Sequence, residues 1–291
     1  MRKLLLILVI GILSLTVCAV VLSPTEPTPA PAPNTTTQTP AFSFTKTFGG
    51  VGWDYANSVQ QTTDGGYIIA GGTDSLGTDG DVYLVKTDRE GNEEWSWTFG
   101  GKENDSASSV QQTTDGGYII AGGTDSFGAG EFDFYLVKTD REGNEEWSRA
   151  FGGVGWDYAD SVQQTTDGGY IIAGGTDSFG AGIYDAYLVK TDREGNEEWS
   201  RTFGGEDNDT ADSVQQTADG GYIIAGDTES FGVDGDFYLV KTDGEGNEEW
   251  SRTFGGERDD SAWSVQQTAD GGYIIAGYTT STAQVIVMST W

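Results

Sequence analysis

Residues 99–151 read FGGKENDSASSVQQTTDGGYIIAGGTDSFGAGEFDFYLVKTDREGNEEWSRAF. The opening Phe-Gly-Gly recurs at Phe48, Phe99, Phe151, Phe203 and Phe254, at spacings of 51, 52, 52 and 51 residues. A period this long, built of short apolar runs between Asp-Gly and Gly-Asn turns, predicts a β-propeller in which each repeat is one blade. Four strands fit one repeat of the first copy. A polar strand spans 58–62, and Asp64-Gly65 supplies positive φ angles for a tight hairpin. The run 67–70, Tyr-Ile-Ile-Ala, reads as a strand covered on both faces. A third strand covers 82–87, and Asp88-Arg89-Glu90-Gly91 turns the chain into a half-buried outer strand at 94–99, with Gly91 left-handed. Gln61, Gln112, Gln164, Gln216 and Gln267 are candidates for lining a central channel.

The ends set the blade count. Phe44, Lys46 and Phe48 repeat the aromatic-basic-aromatic pattern of an outer strand before the first full repeat. At the other end, 285–288 supply a third strand and the chain stops at Trp291. The expected fold is therefore all-β: a five-bladed β-propeller of four-stranded blades over 41–291, closed by an N-terminal outer strand plus three C-terminal strands.

Lys and Arg total 15 against 46 Asp and Glu, a formal net charge of -31. Such a field repels phosphate backbones and anionic lipid heads, so no nucleic-acid partner is expected. There is no His, and the one cysteine is Cys18. These absences exclude imidazole acid-base catalysis, a Ser-His-Asp triad, and imidazole or thiolate metal sites in the repeats. A metal there must be a hard cation on oxygen ligands, such as calcium; no other cofactor is expected.

Arg2 and Lys3 precede an apolar run from Leu4 to Leu22. Residues 1–22 read as a signal peptide, with Val17 and Ala19 at the cleavage positions, or as a retained anchor, since 19 residues just span a bilayer. Leu15-Thr16-Val17-Cys18 also resembles a lipobox. The linker 23–40, rich in Pro and Thr, reads as an extended stalk. Export is the shared consequence, with membrane contact only through an uncleaved N-terminal segment. Asn34, Asn104 and Asn208 head N-glycosylation-type tripeptides.

The elements Thr47 to Ala70, then Asp81-Val82-Tyr83-Leu84-Val85-Lys86, then Trp95 to Gly101, resemble the SBBP-type β-propeller repeats of bacterial and archaeal surface proteins. The resemblance runs over roughly 41–291 and implies an exported propeller without a single established activity. Asp88 to Trp95 is also similar to the tryptophan-docking segment of quinoprotein dehydrogenase repeats, one residue shorter between Asp and Gly. No counterpart of the residues that hold quinone and calcium in those enzymes is present.

Between copies, variation concentrates in two loops that an up-and-down blade places on one face. One holds Trp53, Asp54 and Tyr55 in the first copy, Asp105 in the second, Trp156, Asp157 and Tyr158 in the third, Asp209 in the fourth and Asp260 in the fifth, followed by Trp263. Carboxylates beside aromatic rings suit sugar hydroxyls and apolar ring faces. They also suit calcium, or simple capping of their own loops. Glycoside hydrolysis needs two carboxyl groups in different environments, and carboxylates that repeat nearly identically provide none. The expectation is a non-catalytic, surface-displayed binding or adhesion module, monomeric, with carbohydrate or an envelope protein as partner.

Overall fold

The computed structural model describes residues 44–77 and 80–280 and the backbone of Ile286–Met288. The apolar segment 1–22, the linker 23–40 and the tripeptide at Asn34 lie outside the described residues. Among the described residues no helix is long and apolar enough to cross a membrane.

The chain is all-β, five antiparallel sheets in sequence order, four of them four-stranded and the fifth three-stranded. In the first sheet the strands are Asp54–Gln61, Tyr67–Thr73, Asp81–Thr87 and Glu93–Phe99, each paired with the next. The later sheets repeat this meander, and the first strand of each lies beside the first strand of the next. That is the serial, inner-strand-to-inner-strand arrangement of propeller blades.

The second and third strands are continuous apolar runs because both faces are covered. In the second sheet all of Tyr118–Thr124 and Asp133–Thr139 are buried. Four cores lie between consecutive sheets. The first joins Ile68, Ala70 and Leu84 to Ala107, Val110 and Ile120, and its counterparts recur at the three following interfaces. With about 1.5–3 kcal/mol for each fully buried aliphatic or aromatic side chain, these interfaces are the principal source of stability.

The hairpin turns differ from the expected form. Gly65 is left-handed at φ 90° but Asp64 is not. Instead Asp64 Oδ1 accepts from Thr62 Oγ1 at 2.5 Å and Gly66 N at 3.0 Å, while Gly65 N donates to Thr62 O at 2.9 Å. Gly91 takes φ 76° as expected, and Asp88 Oδ1 accepts from Glu90 N and Asn92 N at 2.9 and 2.8 Å.

Three sets of polar bonds clamp neighbouring sheets. Gln112 N donates to Gln60 Oε1, Gln164 N to Gln111 Oε1 and Gln216 N to Gln163 Oε1, each at 2.6 Å, and Gln267 N to Gln215 Oε1 at 2.5 Å. The neighbouring glutamines reach back: Thr63 N, Thr114 N, Thr166 N and Ala218 N donate to the Oε1 atoms of Gln112, Gln164, Gln216 and Gln267. Of the glutamines expected to line a channel, Gln112, Gln164, Gln216 and Gln267 thus clasp the preceding sheet, and Gln61 donates to Gly65 O of its own hairpin. On the outside, Trp97 Nε1, Arg149 Nη2 and Arg201 Nη2 donate to Glu142 O, Glu194 O and Glu245 O of the following sheet at 3.0–3.1 Å.

Ring closure corrects the sequence expectation. Residues 44–53 carry no strand, and the fifth sheet has no fourth strand among the described residues. Val59 is 66 % exposed, whereas Val110, Val162, Val214 and Val265 are 6–7 % exposed in the equivalent place. Ala276 is exposed where Ala70, Ala121, Ala173 and Ala225 are buried. Closure depends on the angle between successive sheets, which repeat length does not encode. Lys46 Nζ donates to Asn92 Oδ1 at 3.0 Å, at the turn of the first sheet equivalent to the turns of the following sheets that Trp97, Arg149 and Arg201 meet. Lys46 thus meets the first sheet as an outer-strand residue of a preceding sheet would.

Candidate functional site

The recurring aspartates sit beneath the loop that joins each repeat to the next. Asp157 is fully buried; its Oδ2 accepts from Gly153 N and Ser178 Oγ, both at 2.7 Å, and its Oδ1 from Thr176 Oγ1. Asp54 makes the same three bonds to Gly50 N, Ser75 Oγ and Thr73 Oγ1, and the Thr73 hydroxyl is the main reason its carboxyl is held below the usual range. Asp105 accepts from Gly101 N and Ser126 Oγ, Asp209 from Gly205 N and Ser230 Oγ, and Asp260 from Gly256 N. The first four carboxylates therefore brace the Phe-Gly-Gly loop against the turn that follows the second strand. A second buried aspartate, Asp81, Asp133, Asp185 or Asp236, faces it from the preceding sheet. Burial, together with Asp157 opposite, pushes the Asp133 carboxyl upward.

The braced loops display the aromatic residues. Trp53 is 81 % exposed and Trp156 46 %. Trp156 stacks on Phe132 of the preceding sheet, with ring centroids 5.6 Å apart, and its Nε1 donates to Glu131 Oε2 at 2.6 Å. Its backbone N donates to Asp177 Oδ1 at 2.5 Å. Val51, Val154, Ile183 and Val233 are also strongly exposed on loops of this set. Tyr55 and Tyr158 lie in the same way against Gly72 and Gly175; Tyr55 is exposed, whereas Tyr158 is half-buried and has Tyr184 6.0 Å away. Trp263 is 60 % exposed and pairs with Tyr278 at 5.2 Å on the free face of the fifth sheet, away from the Trp53 and Trp156 loops in sequence register.

One group of carboxylates does not stand out in the sequence. The inner strands carry a bulge, in the first sheet between Ala56 and Ser58. The extra residue is Asn57, Ser108, Asp160 or Trp263 in the first, second, third and fifth sheets, and Asp212 holds the matching position in the fourth. Asp227 stands where the other sheets have Gly72, Gly123, Gly175 and Tyr278. Thr210 Oγ1 lies 3.1 Å from Asp212 Oδ2 and 2.9 Å from Asp227 Oδ1, and Ser261 Oγ donates to Asp227 Oδ1 at 3.1 Å. Asp160 accepts no hydrogen bond among the described residues. Burial first, then the charges of Asp212 and Asp227, push its carboxyl up to about 8. Burial and Asp227 push Asp212 up to about 6. Comparison of the copies carries the signal, since this is the inner-strand position where the repeats differ most in charge. Among the described residues no group of three or more Asp, Glu, Cys or His is arranged to hold a metal ion.

No family model matches the chain. It is 25 % identical over 204 residues to the regulatory protein FlaEY of Caulobacter vibrioides, a match over 60 % of this chain that spans only 21 % of that protein. Among solved structures it is similar to a protein of unknown function from Bacteroides caccae, with 13 % identity and a TM-score of 0.48 over 79 % of this chain and 76 % of that one. It is also similar to an endo-arabinase from Bacteroides thetaiotaomicron, with 10 % identity and a TM-score of 0.43 over 84 % of this chain and 98 % of that one.

Proposed function

We propose that this chain is a surface-displayed, non-catalytic binding module that recognises carbohydrate or glycoprotein through the loop face carrying Trp53 and Trp156. The observation that carries the reading is the pairing of a rigid base with an exposed ring. Asp54 and Asp157 lock the loops from below, and the indoles of Trp53 and Trp156 stand out to solvent. Trp156 has its edge fixed by Glu131, which leaves a flat apolar ring beside a carboxylate, the combination that stacks on a sugar face and bonds its hydroxyls. Export follows from the basic-apolar N-terminus. A glycan array with the full chain, with and without calcium, tests this: the wild type binds a defined set of glycans and the Trp53→Ala/Trp156→Ala double variant loses them while still folded. A blank array would move the role to an envelope scaffold with a protein partner.

A second reading, an extracellular glycoside hydrolase, is favoured by one observation. Asp160 and Asp212 are pushed to about 8 and about 6, so near pH 7 one carboxyl keeps its proton while its neighbour ionises. Glycoside hydrolysis requires such an asymmetric pair. Turnover of a glycan that Asp160→Asn abolishes would establish it.

A further inference from the structure

The first and fifth sheets present the two halves of an interface that this chain builds four times within itself. At each internal interface, two backbone N–H groups of an inner strand donate to side chains of the preceding sheet. Val110 N, Val162 N, Val214 N and Val265 N donate to Ser58, Ser109, Ser161 and Ser213 Oγ at 3.1–3.2 Å. The glutamine N–H groups two residues on donate to the preceding Gln Oε1 as described above. At the ends the same groups are left over. Val59 N and Gln61 N of the first sheet meet no such acceptor among the described residues, and Ser264 Oγ and Gln266 Oε1 of the fifth meet no such donor.

The apolar halves match in the same way. Ala56 and Val59 are exposed and Ile69 half-exposed on the first sheet, whereas the equivalent Ala107, Val110 and Ile120 are buried core. On the fifth sheet Ala276 and Tyr278 are exposed and Ile274 half-exposed. Lys46 already bonds Asn92 of the first sheet from an outer-strand position, and the fifth sheet has three strands and no fourth among the described residues.

We infer that the fifth sheet of one copy docks, head to tail, on the first sheet of a second copy. There Ser264 and Gln266 accept from Val59 N and Gln61 N of the second copy. Residues 46–48 of the second copy then lie beside the edge of the docked sheet, which has no fourth strand among the described residues. Tyr55 and Asn57 of one copy then meet Trp263 and Tyr278 of the other, so two candidate binding residues that are distant within one chain share the junction. The contact is heterologous, with two different faces of the same molecule, so it closes into a ring or grows into a linear array. Each copy carries a charge of -31, so association strengthens as salt screens the repulsion.

Sedimentation velocity of the full chain, in mild detergent so that the apolar segment 4–22 does not itself drive association, tests the inference. The wild type forms dimers or larger species that increase with concentration and with salt. Val59→Arg and Ala276→Arg, both at positions exposed in the single chain, each weaken self-association at least about tenfold, a loss of about 1.4 kcal/mol or more. An equimolar mixture of the two variants gives a dimer that grows no further, because one intact copy of each face remains. A wild type that stays monomeric across concentration and salt overturns the proposal, and is the result expected if the fifth sheet closes on the first sheet of its own chain. Association unchanged by either variant, or variants that do not recombine on mixing, also overturns it.

Discussion

Replacing Asp160 by Asn should stabilise the protein in a manner that depends on pH. In the folded chain burial and the two neighbouring carboxylates hold the Asp160 proton up to about pH 8, against 3.8 for an ordinary aspartate. Between those values the folded state binds more protons at this site than the unfolded state, so its contribution to stability falls as pH rises through the window and is flat above it. A carboxyl raised by one pH unit loses about 1.4 kcal/mol of folding free energy once ionised, which gives a ceiling of about 6 kcal/mol above pH 8. The side chain is only partly shielded from solvent, and water screens part of the repulsion. About half of that ceiling, roughly 3 kcal/mol, is the gain expected for Asn. Asn keeps the shape, carries no charge and loses no bond, since Asp160 accepts none among the described residues. Urea denaturation at pH 4 and pH 9, on wild type and variant, measures it: the two should match at pH 4 and separate by about 1 M or more in midpoint at pH 9. A difference of the same size at both pH values would refute the electrostatic account, and a variant less stable at pH 9 would reverse its sign.

Asp157→Ala strips the acceptor from Gly153 N, Ser178 Oγ and Thr176 Oγ1 in a fully buried place, and should cost about 2–4 kcal/mol, read as a fall in thermal midpoint. Trp156→Ala, which breaks the stack on Phe132, should cost about 1–2 kcal/mol by chemical denaturation, while Trp53→Ala, with its ring in solvent, should leave stability unchanged. Lys190 is 3 % exposed and bonds Asp167, Glu198 and Thr191 O. Against burial, which pushes it up, the Thr165 hydroxyl, Gly169 N and Lys190 hold the Asp167 carboxyl at about 2. A depressed carboxyl contributes stability that is present above the ordinary value of 3.8 and lost as pH falls through about 2. In Lys190→Met this acid-sensitive part should shrink, with a loss of about 1–2 kcal/mol at pH 6 and less below pH 2, measured by circular dichroism during acid titration.

Strand order and turn positions are legible from sequence because they depend on local chemistry. The apolar run Tyr118–Thr124 and the left-handed Gly65 and Gly91 suffice to place hairpins. The recurring aspartates are legible as a repeated set but ambiguous in role. A carboxylate at the start of one strand with partners at the end of the next and beyond, such as Asp157 with Thr176 and Ser178, shows its purpose only once the loop is folded over it. Asp160, Asp212 and Asp227 do not stand out because a bulge brings together positions that fall on different strands and sheets. The open ends of the series are illegible for a further reason: every repeat has the same pattern, so Val59 and Val110 look alike in sequence and differ only in whether another sheet lies against them.

The Gln-to-backbone clasps also govern how the chain comes apart. Each clasp links one sheet only to its immediate neighbour, so cooperativity spreads along the series like a zipper with five teeth rather than through one common centre. The third sheet is gripped from both sides, while the first and fifth are each gripped from one. Amide hydrogen exchange should accordingly be slowest at Ile171 and Ile172 and fastest at Val59 and Ala276, with opening that begins at either end and reaches the middle last.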